Sequence, residues 1–300
     1  MEEKKMKAAE NVCVVEGILS EVNITTGVGK VSNKPYIMGE IKVKTNALIN
    51  GVETELEVPV RVFANKMKND GNANPAYESI ERIQSMTSLA SCGGDMSKAD
   101  RIRFDNATVQ RNEFYNKEDK LVSYPTIRGT FSRKVEANKC IPTATFSNVI
   151  VVGGLKEETD RNGDLTGRLI VKGILPQWGG TVDIVDYIVA NESAKNHIST
   201  YWQKGDTVRV AGVINFSSTV ETEVVEMGFG DPEIKHRTRS VTELLITKGS
   251  QGALDAEFAY DPDDISAALT KRQAYLNDLK ANQNKKTEIA QKASTIDLGF

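Results

Sequence analysis

The sequence predicts a mainly β protein, two tandem five-stranded Greek-key barrels followed by a helical, acidic C-terminal tail. Three observations carry that expectation. Short apolar or alternating runs are punctuated by Asn-Gly turns, both halves read strand, strand, strand, helix, strand, and the composition turns polar after Gly252. The expected units are 1–138, 139–252 and 253–300, the last with a partly disordered tip.

In the first unit, Val12 to Val22 is an apolar run interrupted by Gly17. Tyr36 to Leu48 alternates, and Asn50-Gly51 supplies the two positive-φ positions of a type I′ hairpin. The return strand runs from Val52 to Phe63, with Val58, Val60 and Val62 on one face and Arg61 and Phe63 on the other, because successive side chains point to opposite sides. Asn74-Pro75 reads as a helix N-cap with proline at the first turn, and Tyr77, Ile80, Ile83 and Met86 form the apolar stripe. Ser91 to Ser97 is a loop, and two further strands are expected at Arg101 to Gln110 and Ser123 to Lys134.

The second unit opens near Lys139-Cys140-Ile141-Pro142. Val149 to Leu155 and Leu165 to Leu175 flank the turn Asp160-Arg161-Asn162-Gly163-Asp164, and Thr181 to Ala190 is apolar again. Asn191-Glu192-Ser193 caps a short helix ending at Trp202, and Thr207 to Phe216 is a strand. Val220 to Met227 and Val241 to Lys248 extend the sheet. A helical pattern from Ile265 to about Lys292 carries few large apolar residues, so it is expected as an appendage or partner-binding helix outside the core.

Two phrases recur in the same order. Val15-Glu16-Gly17-Ile18-Leu19 matches Val171-Lys172-Gly173-Ile174-Leu175, and Lys98 to Phe104 matches Lys204 to Val210. The shared strand order is that of the five-stranded barrel called the OB-fold, and a glycine in the first strand suits the bend such a barrel needs. At Val15 to Leu19, at Lys-Gly-Asp-x-Val-Arg-Val (Lys204 to Val210) and at the chain end Asp297-Leu298-Gly299-Phe300, the sequence resembles single-stranded DNA-binding proteins of the bacterial and phage kind. The resemblance implies an OB-fold groove for single strands. It also implies an acidic tail that recruits replication or recombination proteins, with Asp297, Leu298 and Phe300 as its contact residues. The tail has Gly299 where that family has proline, and most of its acids lie well before the end.

Of 300 residues, 38 Lys and Arg face 41 Asp and Glu, so a wholly cationic nucleic-acid coat is excluded and any such site must be a local basic face. Apolar residues make up 39%, a lean share for a packed core. The N-terminus lacks a signal-peptide core and no run is long enough to span a bilayer, so a soluble, cytoplasmic protein with no membrane partner is expected, in host cytoplasm if phage-encoded. Cys13, Cys92 and Cys140 are odd in number and scattered, and read as buried thiols.

Binding a single strand without sequence preference needs cations for phosphates and flat rings for bases. If Ile41, Val43, Val58, Val60, Val62, Ile102 and Phe104 point inward, alternation turns Lys42, Lys44, Arg61, Phe63, Arg101 and Arg103 outward. Arg111, Phe114, Tyr115, Lys117, Tyr124, Arg128, Arg133 and Lys134 then interleave basic and aromatic residues along a hairpin-like arm. From Arg101 to Cys140, nine cationic side chains meet five acidic ones. The bland alternative is a solvated face, with Tyr36, Phe114 or Tyr124 packing a loop; Phe104 and Phe131 are assigned to the core. The second unit offers mainly Lys172, Trp178 and Arg209 beside Asp183, Asp186 and Glu192, so it is expected to be structural or self-associating.

No phosphate-loop, nucleophile-elbow or two-histidine zinc motif occurs, so no catalytic residue, metal or cofactor is expected. Asp160, Asp164, Glu157 and Glu158 are explained by their turn. The leading expectation is a non-catalytic single-stranded DNA-binding protein of DNA replication or recombination, with self-association left open. Its rival is a β-rich virion or assembly scaffold that ignores nucleic acid.

Overall fold

The computed structural model describes residues 6–30, 32–116, 118–225 and 233–294, with the side chains of 218–239 and 284–294 left aside. In chain order the elements are β1 (Asn11–Val28), β2 (Pro35–Ile49), β3 (Val52–Asn65), α1 (Pro75–Gln84), β4 (Arg101–Tyr115), β5 (Leu121–Arg128) and β6 (Arg133–Val135). There follow β7 (Thr143–Thr159), β8 (Leu165–Gln177), β9 (Thr181–Val189), α2 (Glu192–Tyr201), β10 (Thr207–Val225), β11 (Glu233–Gly249) and α3 (Pro262–Ser294).

Strand pairing closes two rings. β1 pairs with β2, β2 with β3, β3 in parallel with β5, β5 with β4, and β4 returns to β1. β7, β8, β9, β11 and β10 close in the same order, again with one parallel contact, between β9 and β11. The two first strands pair with each other, antiparallel from Asn11 opposite Asn148 to Glu16 opposite Thr143, so the rings form one continuous sheet.

The local devices are those the sequence announces. Asn50 and Gly51 take φ of 50° and 81°, the two positive values of a type I′ turn. The Asn74 side chain accepts the Ala76 N–H with Pro75 opening α1, and Asn191 accepts the Ala194 N–H at the start of α2. Gly17 lies where β1 is paired on both edges just before a bulge between Leu19 and Glu21; a Cβ there would come 2.2 Å from the Lys44 carbonyl oxygen. Ile41, Val43, Val58, Val60, Val62, Ile102 and Phe104 are buried as alternation requires, and the apolar core runs unbroken through Cys13 and Phe146 to Tyr187, Val208 and Ile214. Burial of these side chains drives folding, at about 1.5–3 kcal/mol for each large one.

Five expectations need correction. The stretch Ser123 to Lys134 is not one strand: β5 ends at Arg128, Gly129 turns to donate to the Arg61 carbonyl, and β6 begins at Arg133. Phe131, in that interruption, is 57% exposed and not core, because the alternation that assigned it inward lapses outside a strand. Of the repeated phrases, Lys98 to Phe104 and Lys204 to Val210 do enter equivalent fourth strands, whereas Val15 to Leu19 lies in the first strand of its ring and Val171 to Leu175 in the second of the other. The C-terminal helix is not an appendage: Ile265 and Ala268 of α3 are buried against Val151, Ile174 and Val182. Cys13 alone of the three thiols is fully buried, and burial pushes it up; Cys92 and Cys140 are half-buried. The expected strand end at Met227, Lys117 and the tail residues Asp297, Leu298, Gly299 and Phe300 lie outside the described residues. Among the described residues, no helix is long and apolar enough to cross a membrane.

Candidate nucleic-acid interface

On the outer face of the first ring, pairing brings Met38 opposite Phe63, Glu40 opposite Arg61, and Arg61 beside Arg128. The row continues onto the β4–β5 arm, where Thr126 opposes Gln110 and Tyr124 opposes Asn112. All of these except Tyr124, which stands at its edge by Asn112, line a groove of about 620 Å³ open to solvent. Its aromatic members are fixed, not adrift: Tyr36 stacks on Phe63 at 6.0 Å between centroids and 29° between planes, and the Arg128 guanidinium stands 5.9 Å over the Phe63 ring. The Tyr124 phenolic oxygen accepts hydrogen bonds from Asn112 Nδ2 at 2.6 Å and Arg61 Nη2 at 3.4 Å. Phe63 is 40% and Met38 45% exposed, which leaves flat apolar surface beside two guanidinium groups.

The β4–β5 arm has two faces because its side chains alternate. Gln110, Asn112, Phe114 and Tyr124 take the groove side, and Phe114 is exposed there. Arg111 borders the groove, but its guanidinium turns to the rear, where Nε donates to Ser123 Oγ at 3.0 Å. Burial pushes this guanidinium down, with Asp186 of β9 and Glu113 opposing the shift. Tyr115 also faces rearward, under the Lys280 ammonium of α3.

The remaining expected residues go elsewhere. Lys42 pairs with Glu21 at 2.7 Å and Lys44 with Glu55 at 2.9 Å, further along the β2–β3 sheet. Arg101, Arg103, Arg133 and Lys134 lie where β4 meets β1 and β6. Arg103 is bound to Glu16 and Asp105, Arg133 reaches Asp105 at 3.0 Å, and Lys134 reaches Asp100 at 2.6 Å. The Arg103 hydrogen bond holds the Asp105 carboxyl below its ordinary range, and the same guanidinium partners Glu16, whose side chain is only 3% exposed. Glu16 in turn accepts the Ile141 N–H at 2.9 Å, tying the inter-unit connection to β1. The structure therefore gathers Arg61, Phe63, Phe114, Tyr124 and Arg128 into one face, consigns Arg103, Arg133 and Lys134 to a pinned acid–base network, and turns the Arg101 guanidinium to the Ala99 carbonyl. Tyr36 joins this face through its stack on Phe63, in step with the alternation of β2, and Asn112 lines the groove in step with that of β4.

Among the described residues, the second ring presents no matching cationic groove. On its outer face Arg168 of β8 is held bidentately by Glu158 at 2.6 Å and by Glu243 of β11 at 2.8 Å. Lys172 stands opposite Asp186, and Arg209 pairs with Glu10 at 2.8 Å. Trp178, at the β8–β9 turn, is 89% exposed. Asp160 is occupied in its turn, accepting from the Asn162 and Asp164 N–H groups, and among the described residues no cluster of His, Cys, Asp or Glu is arranged to hold a metal.

The family model named YorF matches residues 9–282. The chain belongs to the YorF family. No curated protein matches it. Among solved structures it is similar to the wild-type single-stranded DNA-binding protein from Thermus aquaticus, with a TM-score of 0.50 at 10% identity over 83% of this chain and 96% of that one. A deletion mutant of the Thermus aquaticus protein aligns at a TM-score of 0.46 with 12% identity over 86% and 100%. A small single-stranded DNA-binding protein from Streptomyces coelicolor aligns at 0.23 with 11% identity over 43% and 98%. The likeness to the wild-type Thermus protein is one of fold: this YorF-family chain is mainly β, of the OB-fold kind, with an added C-terminal helix.

Proposed function

We propose that this YorF-family protein binds single-stranded DNA, without covalent chemistry, on the outer face of its first ring. The observation that carries the reading is the row Tyr36, Phe63, Arg128, Arg61 and Tyr124, in which Phe63, Arg61 and Arg128 line one solvent-open groove and the two tyrosines stack on or bond to them from its edges. Phosphates meet Arg61 and Arg128, bases meet Phe63 and the exposed Phe114, and the mixture favours no base sequence. The chain is organised as two OB-like units, 1–138 and 139–252, with 253–300 following. The second unit serves as support, a reading favoured by its Arg168 and Arg209, which Glu158, Glu243 and Glu10 already neutralise. Such binding suits DNA replication or recombination, where single strands arise, in a phage or its host cytoplasm, and the name of the Thermus neighbour is in keeping with it.

The test is titration of fluorescent oligo-dT at increasing salt. Micromolar or tighter binding that weakens steeply with salt supports the reading. Absence of binding at low salt, with ordered self-association, selects the assembly scaffold instead.

A further inference from the structure

α3 touches both rings. Its first turns are seated on the second ring through Ile265 and Ala268 against Val151, Ile174 and Val182, and Lys271 lies by the Gly180 turn. Further along, Arg272 grips Glu113 of the β4–β5 arm with two hydrogen bonds, 3.0 and 2.5 Å long, between side chains only 10% and 5% exposed. Glu113 also accepts from Ser123 Oγ at 2.7 Å, so this one carboxylate joins α3 to both strands of the arm. Two more contacts lie beyond it: Lys280 over the Tyr115 ring at 5.6 Å, and the Gln283 amide donating to the Tyr115 carbonyl. All of these meet the rear of the arm, while Asn112, Phe114 and Tyr124 occupy its front.

From this arrangement we infer that α3 is a strut, seated on the second ring, that sets the position of the β4–β5 arm, with Arg272 as the positioning residue for the front-face side chains. The inference rests on the binding reading above and gives the second ring its part in it. A two-stranded ribbon is marginal by itself in water, so its aim depends on what it is packed against. Removing Arg272 takes two charge-assisted hydrogen bonds from the buried Glu113 carboxylate and leaves it Ser123 and the neighbouring Arg111; the arm must shift to hydrate it. Removing the charge of Glu113 as well abolishes that demand.

The experiment is oligo-dT titration of the full chain, with thermal melts run alongside. Arg272→Met is expected to weaken binding about five- to tenfold, and the same substitution in a Phe114→Ala/Tyr124→Ala background about twofold or less. Glu113→Gln with Arg272→Met is expected to restore affinity to within about twofold of the unsubstituted chain. Unchanged affinity in a folded Arg272→Met protein overturns the strut, as does an equal loss in the front-face background or a double substitution no better than the single. Should Arg272→Met not fold, Lys280→Ala with Gln283→Ala is read against the same background by the same criteria. Absence of binding by the unsubstituted chain refutes the binding reading itself, and is told apart by appearing before any substitution is made.

Discussion

The Arg128 guanidinium stands over the Phe63 ring, 5.9 Å from its centroid, so one cation and one stacking surface share a site on the first ring. Their contributions to strand binding are separable by salt. Phe63→Ala is expected to cost about 1–3 kcal/mol, the value of one stacked base, and to leave the salt dependence unchanged. Arg128→Ala is expected to lower the slope of log K against log salt by about 0.7, one phosphate contact on a single strand. Titrations of both variants at several salt concentrations check this, and identical slopes would count against the assignment of Arg128.

Tyr124 offers a phenolic oxygen already accepting from Asn112 and Arg61. Its ring and its hydroxyl therefore have different jobs. Tyr124→Phe keeps the ring and releases Arg61, and is expected to weaken oligo-dT binding less than Tyr124→Ala, which loses both. Glu40, paired with Arg61 at 3.8 Å in the same groove, opposes a polyanion; Glu40→Gln should strengthen binding several-fold at low salt.

Arg103 is expected to serve stability rather than binding. Its guanidinium is the partner of Glu16, whose carboxylate is buried at the joint of β1, β4 and the connection to β7. Arg103→Met strands that charge, with an expected cost of about 3–5 kcal/mol in unfolding free energy. Denaturant unfolding measures it; a loss of affinity with stability intact would reverse the assignment.

Gly17→Ala tests the closure of the first ring. The added methyl would meet the Lys44 carbonyl oxygen at 2.2 Å, and since that oxygen is backbone, the strands must part. A destabilisation of about 1–3 kcal/mol is expected, read from the shift of the unfolding midpoint.

Acid should loosen the molecule by a definite route. Burial alone would raise the Glu113 carboxyl, but hydrogen bonds from Arg272 and Ser123 outweigh it, and the Arg168 hydrogen bond holds Glu158 low. Groups depressed in the folded state stabilise it above their ordinary value of 4.5, and that stabilisation is lost as pH falls through the folded values. Asp183, raised by burial, acts in the opposite sense and softens the fall. The melting temperature is expected to drop between about pH 5 and 3, and to drop less in Glu158→Gln. A flat profile across that range would contradict the role given to these pairs.

Most of the fold was legible because period-two alternation and turn chemistry are local. Asn50-Gly51, the Asn74 and Asn191 caps, and the inward set from Ile41 to Phe104 need no knowledge of what lies opposite. The site was half legible for the same reason. Alternation turns both Arg61 and Arg103 outward, yet only register shows Arg128 beside the first and Glu16 beside the second. Likewise a helix poor in large apolar residues looks detachable until Ile265, Ala268 and Arg272 find partners far away in sequence. Such contacts depend on tertiary packing, and no window of sequence carries them.

The antiparallel pairing of β1 with β7 joins two like rings through their first strands. Two separate identical chains meeting that way must carry the same surface twice, whatever each copy needs. Joined in one chain, the halves are released from that obligation and can divide the labour. One keeps an open row of guanidinium groups, while the other holds Arg168 with Glu158 and Glu243 and lends its flank to a helix.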